Sequence, residues 1–162
     1  MTAKLIFFIF PILLVLMPIT LYKRNSPFMV RLWLRMAYDQ NTRKMAANLM
    51  TMILILFHLA YYAVFPSDKG IMISTLLLFL LFSTNRCVRL LTGIRQGRKL
   101  RWGLAILCLG LPFVPHMLST AISLAFVLET SFFFPAEGLT DFYENNVKEQ
   151  DVDKKFVEAY FK

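Results

Sequence analysis

The side chains able to do chemistry in this sequence are few, and most of them sit inside apolar runs. Two histidines, His58 and His116, and two cysteines, Cys87 and Cys108, are the groups that could carry a proton, attack an electrophile or bind a metal. Their spacing supports none of these. No CxxC, HExxH, GxSxG or Gly-rich phosphate loop is present, and no apolar run holds a pair of carboxylates. Two imidazoles without further ligands do not complete a coordination shell. A proton relay ordinarily includes an intramembrane carboxylate, and Glu129 falls only at the edge of the last apolar run. Catalytic, cofactor-binding and metal-binding residues are therefore not expected, and the chain reads as non-enzymatic.

The same polar residues do fit hydrogen bonding between helices. Asn48, Thr51, His58 and Tyr62 share one face of a helix, and His116, Ser119 and Ser123 share another. Ser119 and Ser123 form a small-xxx-small pair that permits close backbone approach. The two faces are expected to meet as one interhelical polar face, each bond contributing about 0.6 kcal/mol.

The elements that must position these residues are apolar helices. The chain has 162 residues, of which 57% are hydrophobic and 16 are Phe. Its mean hydropathy is +0.57, too apolar for a soluble domain of this length. Crossing about 30 Å of hydrocarbon takes about 20 apolar residues as a helix. Four stretches qualify, at about 5–22, 45–65, 70–86 and 103–128. The first has no charge between Lys4 and Lys23 and is read as an uncleaved span, since no small-x-small cleavage site follows it. The second and third are joined by the short "PSDKG" and form an antiparallel hairpin. The third is short and borrows the stems of Arg86 and Arg89, whose heads snorkel. The fourth contains "PFVP" and is expected to be one kinked, tilted helix, because the piece before Pro112 is too short to cross alone.

The charges divide the chain. "NRCVRLLTGIRQGRKLRW", residues 85–102, holds six Lys/Arg and no acid, and the segment 23–44 is also basic. With four spans both segments fall on one side, the positive-inside pattern, so the basic segments are expected in the cytoplasm and both termini outside. Arg31, Arg35, Arg95, Arg98, Lys99 and Arg101 are the candidate contacts to anionic headgroups. Nucleic-acid binding is not expected, because a pI of 9.7 follows from this charge distribution and no aromatic-interleaved motif accompanies it. Residues 129–162 instead carry four Lys against eight Asp/Glu.

The expected fold is therefore all-α: a polytopic membrane protein with a membrane domain over 1–134, four transmembrane helices, and an acidic aqueous tail over 135–162. An amphipathic helix at 26–40 lies in the interface, because Arg31, Arg35 and Asp39 recur every fourth residue on an otherwise apolar segment containing Trp33 and Phe28. The tail is capable of a short helix whose stripe of Val152, Phe156 and Tyr160 is a candidate docking face for a partner.

Three function classes fit. The first is a small subunit, assembly factor or modulator of a membrane complex, with the lipid bilayer and its anionic headgroups as one partner and a membrane protein or a second copy as the other. The second is an immunity or exclusion type of membrane protein; in size and span count alone the chain is similar to the four-span immunity proteins against pore-forming colicins. The third is a small transporter or channel component. The absence of N-x-S/T sequons and of lipidation or retrieval signals fits a bacterial inner membrane.

Overall fold

The computed structural model describes residues 39–135 together with Leu32 and Arg35–Ala37. The expected span at 5–22, the tail stripe of Val152, Phe156 and Tyr160, and Arg31 lie outside the described residues. Every regular element among the described residues is helical: α1 (Gln40–Val64), α2 (Gly70–Leu81), α3 (Thr84–Gln96), α4 (Arg98–Gly110), a 3-10 turn (Leu111–Phe113) and α5 (Leu118–Phe133).

α1 starts where its N-terminal amides find a cap. The carboxylate of Asp39 accepts from the backbone N–H of Asn41 at 2.9 Å and of Thr42 at 3.2 Å, and from the Thr42 hydroxyl at 2.5 Å. This places the helix start five residues ahead of the expected 45, so Arg43 and Lys44 are helical. The chain before the cap is also helical at Arg35–Ala37, with Arg35 exposed and Met36 and Ala37 buried. Within the expected interfacial helix, these two side chains thus face the bundle.

At 25 residues and a mean hydropathy of 1.7 over its most apolar window, α1 is the one described helix long and apolar enough by itself to cross a membrane. Its inner face is Ala47, Met50, Leu54 and Tyr61; its outer face, Met45, Leu49, Met52, Leu56 and Leu59, is exposed. Both follow the helical repeat, yet both are apolar. Exposed apolar faces continue on α2 (Met72, Leu76, Phe79) and α4 (Trp102, Ile106). α5 differs: Ser119–Ser123, Ala125, Val127–Glu129 and Ser131 are all buried, and the other four helices pack against it. Its small residues, Ser119, Ala121, Ser123 and Ala125, let neighbouring helices approach it closely.

The expected third and fourth spans are each broken. α2 ends at Leu81, and α3 leaves at 106° to it after an extended Ser83 (φ −79, ψ 110). The turn lets Cys87, Leu91 and Ile94 pack inward while Arg86 and Arg89 point out, which a straight continuation of an apolar helix would not. The stretch 103–128 is two antiparallel helices and not one kinked helix: Cys108 of α4 packs with Ile122 and Ala125 of α5. Pro115 forces Val114 into an extended conformation (φ −88, ψ 124), and His116 then takes φ 63, so the chain reverses.

That reversal sets the end of the bundle at which α5 finishes. Phe134 is buried with Met36, Ala47, Leu81 and Cys87. The chain therefore leaves α5 at the end where α1 begins and the cations of α3 and α4 gather. A single span over 103–128 predicts the opposite end.

Candidate functional site

Polar contacts between helices concentrate at the turn end of the bundle, around a residue the sequence marks only as a turn charge. Asp68 follows α1 and is 8% exposed. Its Oδ1 accepts from the backbone N–H of Gly70 at 2.9 Å; its Oδ2 accepts from the Tyr61 hydroxyl at 2.7 Å and from the backbone N–H of Ser119 at 3.2 Å. One carboxylate thus holds the first turns of α2 and α5, where peptide dipoles favour negative charge, and the last turn of α1.

Gly70 completes this clasp. Its N–H also donates to the His116 carbonyl at 2.7 Å, and its own carbonyl accepts from the Thr120 hydroxyl at 2.9 Å. A Cβ at this position would stand 2.7 Å from Ser119 Oγ and 2.9 Å from Thr120 Oγ1, so only glycine lets α2 and α5 approach this closely. Chemically the clasp is a fastening. Both carboxylate oxygens already accept hydrogen bonds, and among the described residues no group of three His, Cys, Asp or Glu is placed to hold a metal ion.

The expected polar face is divided among several contacts. His58, half-buried, has Nδ1 3.0 Å from Ser74 Oγ and Nε2 3.0 Å from Thr75 Oγ1, so it joins α1 to α2. Both hydroxyls also donate to the Ile71 carbonyl, at 3.0 Å from Ser74 and 2.7 Å from Thr75. Near the other end, Asn48 Oδ1 accepts from the Thr84 hydroxyl at 2.7 Å, and Thr51 Oγ1 lies 3.8 Å from Cys87 Sγ, joining α1 to α3. Tyr62 is exposed. His116 is exposed in the reversal and contributes its backbone carbonyl, while Ser119 and Ser123 are buried in α5 with no hydrogen-bond partner for either hydroxyl. The two faces do not meet as one surface: α1 spends its polar groups on α2 and α3, whereas Ser119 meets the clasp through its backbone.

Comparisons with known proteins find no family model, curated protein or solved structure that matches the chain. The geometry therefore stands by itself.

Cys87 and Cys108 are both free thiols with no exposed surface. A described cavity between α1 and α5 is lined by Ile53, Leu54, Phe57, Ile122 and Phe126, with no polar group to orient a small molecule. At the basic end, Arg86, Arg89, Arg98 and Lys99 are exposed, as is Arg35, and Arg101 is half-buried. Arg95 departs from its expected role: it is 7% exposed, with its guanidinium carbon 5.6 Å from the Phe132 ring centroid.

Sequence reasoning missed Asp68, Gly70, Tyr61, Ser74, Thr75 and Thr120. The Asp-x-Gly spacing in "PSDKG" is a signal for a carboxylate bonding to the amide two residues on. Nothing local to that segment signals Ser119.

Proposed function

We propose that this chain is a non-enzymatic, multi-pass membrane protein acting as a small subunit, assembly factor or modulator of a membrane complex in a bacterial inner membrane. The observation that carries the reading is the pattern of apolar exposure. α1, α2 and α4 turn rows of large apolar side chains outward around a buried α5, an arrangement that is costly in water and fits contact with lipid or another membrane helix. The described polar groups are engaged mainly in fastening helices, which favours an interaction role over catalysis.

In this reading α1, the bent α2–α3 pair, α4 and α5 form the membrane body, and the basic end faces the cytoplasm by the positive-inside rule. Because α5 returns to that end, the acidic tail is assigned to the cytoplasmic side. A reporter fused after Lys162 should then give a cytosolic signal; a periplasmic signal would contradict this topology.

The subunit role is tested by purification from native membranes in mild detergent with a tag after Lys162, followed by mass spectrometry. A reproducible stoichiometric companion is expected. A chain recovered alone, or only with copies of itself, would overturn the subunit reading.

A further inference from the structure

The two ends of the bundle treat charge differently, and the basic end presents its cations in one particular place. α3 lies across the end of the bundle, its level set by the Thr84 to Asn48 hydrogen bond and the Thr51 to Cys87 contact. Asn48 stands 16 residues from Val64, roughly 24 Å at the helical rise of 1.5 Å per residue. That separation approaches the hydrocarbon thickness of about 30 Å. With the turn end at one boundary, α3 lies near the other.

The face that α3 turns away from the bundle carries Arg86 and Arg89, and the first residues of α4 carry Arg98 and Lys99, all four exposed. Exposed Phe82 precedes this elbow and exposed Trp102 follows it. Aromatic rings beside cations, at the rim of an apolar belt, match a boundary where acyl chains give way to headgroups. The sequence holds no acid between Asp68 and Glu129, so no carboxylate within this run neutralises the four cations. Arg95, within the same run, instead points to Phe132.

We propose that the α3–α4 elbow, through Arg86, Arg89, Arg98 and Lys99, is a seat for the phosphates of anionic phospholipids. This rests on the membrane reading above and is independent of whether the chain is a subunit of anything. Charge complementarity selects the lipid: phosphatidylglycerol carries a net negative charge that phosphatidylcholine lacks, and the flanking apolar faces accept acyl chains of either. The four side chains pair with headgroup phosphate while the stems of the arginines lie along the apolar rim.

The test uses the full chain in mild detergent, incubated with equimolar phosphatidylglycerol and phosphatidylcholine, repurified, and assayed for retained lipid by mass spectrometry. Several-fold enrichment of phosphatidylglycerol is expected. It should fall to the added ratio in R86Q/R89Q/R98Q/K99Q and persist in K69Q, which removes a cation at the opposite end. Inorganic phosphate should reduce the enrichment no more than chloride at equal ionic strength; stronger competition would make the seat a free-phosphate site and overturn the lipid assignment. If the fourfold variant does not fold, R86Q/R89Q and R98Q/K99Q are each read separately, and undiminished enrichment in both overturns the proposal. Lipid retained without preference by the wild type also overturns it. Retention of neither lipid would count against the membrane reading itself.

Discussion

At the turn end, Asp68 takes three hydrogen bonds from three segments of chain, and the clasp faces inward. At the basic end, Arg86, Arg89, Arg98 and Lys99 project outward, and the contacts that join helices there include apolar packing, the Thr84–Asn48 bond, the Thr51–Cys87 contact and Arg95 over the Phe132 ring. The first end spends its carboxylate on holding the fold, and the second leaves four of its cations exposed, free for the lipid contact proposed above. Stability and recognition should therefore separate by location. Variants at the clasp ought to change unfolding, and charge-neutral variants at the elbow ought to change binding with little effect on unfolding.

The largest effect is expected from Asp68→Ala. It removes the acceptor shared by the Tyr61 hydroxyl and the Ser119 N–H, while the Gly70 N–H keeps the His116 carbonyl, and a buried donor that loses its acceptor costs about 1–3 kcal/mol. A loss of about 2 kcal/mol or more in the unfolding free energy, measured in mixed detergent, follows from these two donors. Asp68→Asn should lose less, because one amide oxygen still accepts. A stability change within about 0.5 kcal/mol, the scatter of surface substitutions, would show that the clasp does not hold the fold.

Gly70→Ala ranks next. The added methyl meets Ser119 Oγ and Thr120 Oγ1 inside contact distance, so α2 and α5 must separate or the hydroxyls must turn. Overpacking of this kind costs about 1–3 kcal/mol. Gly93→Ala is the contrast, since a Cβ there has nothing within 4 Å. It sits on α3 at the basic end, and removing a helical glycine should leave stability unchanged or raise it by up to about 1 kcal/mol. Equal losses at the two positions would dissolve the difference between the ends.

How far this difference is legible in the sequence depends on the range of the interactions. The all-helical class and the body of α1 follow from local apolar periodicity. The cations of α3 and α4 stand out as an acid-free run, although their division into exposed Arg86 and Arg98 and buried Arg95 depends on the turn at Ser83. The reversal at 111–117 is not legible, because a Pro-x-x-Pro segment suits a kinked helix as well as a turn; the bond from Gly70 N–H to the His116 carbonyl joins positions far apart in sequence. For the same reason Asp68 reads as a turn charge, since its partner Ser119 is 51 residues away. Helical spacing groups His58 with Asn48, Thr51 and Tyr62, and Ser119 with His116 and Ser123. Spacing identifies a face but not the helix opposite it.

His58 tests the middle of the bundle, between the two ends. His58→Phe removes the bridge to Ser74 and Thr75 while both hydroxyls keep the Ile71 carbonyl, so no buried hydroxyl is stranded. The expected loss is about 1 kcal/mol or less, in keeping with interhelical hydrogen bonds in membranes. His116→Gln should change stability less still, because that ring is exposed and the backbone carbonyl makes the contact. Non-additivity between the two would show a coupling that their positions in the fold do not provide.

The smallest effect is expected at Asp39, a carboxylate at the basic end that, like Asp68, caps a helix, but from a solvated position. The Thr42 hydroxyl first, and then the Asn41 N–H, hold its carboxyl below the ordinary value of 3.8. A lowered value in the fold means the cap contributes above the ordinary carboxylate range and is lost as pH falls through the lowered value. Hydrogen exchange at the amides of Asn41 and Thr42, corrected for the intrinsic effect of pH, should therefore accelerate below about pH 4. In Asp39→Asn, whose one amide oxygen still accepts at the cap and does not titrate, the corrected exchange should be flat over that range. Acid fraying confined to the start of α1 would mark this cap as local, whereas acid loosening of the entire bundle in step with it would mean that the basic end depends on a carboxylate as the turn end does.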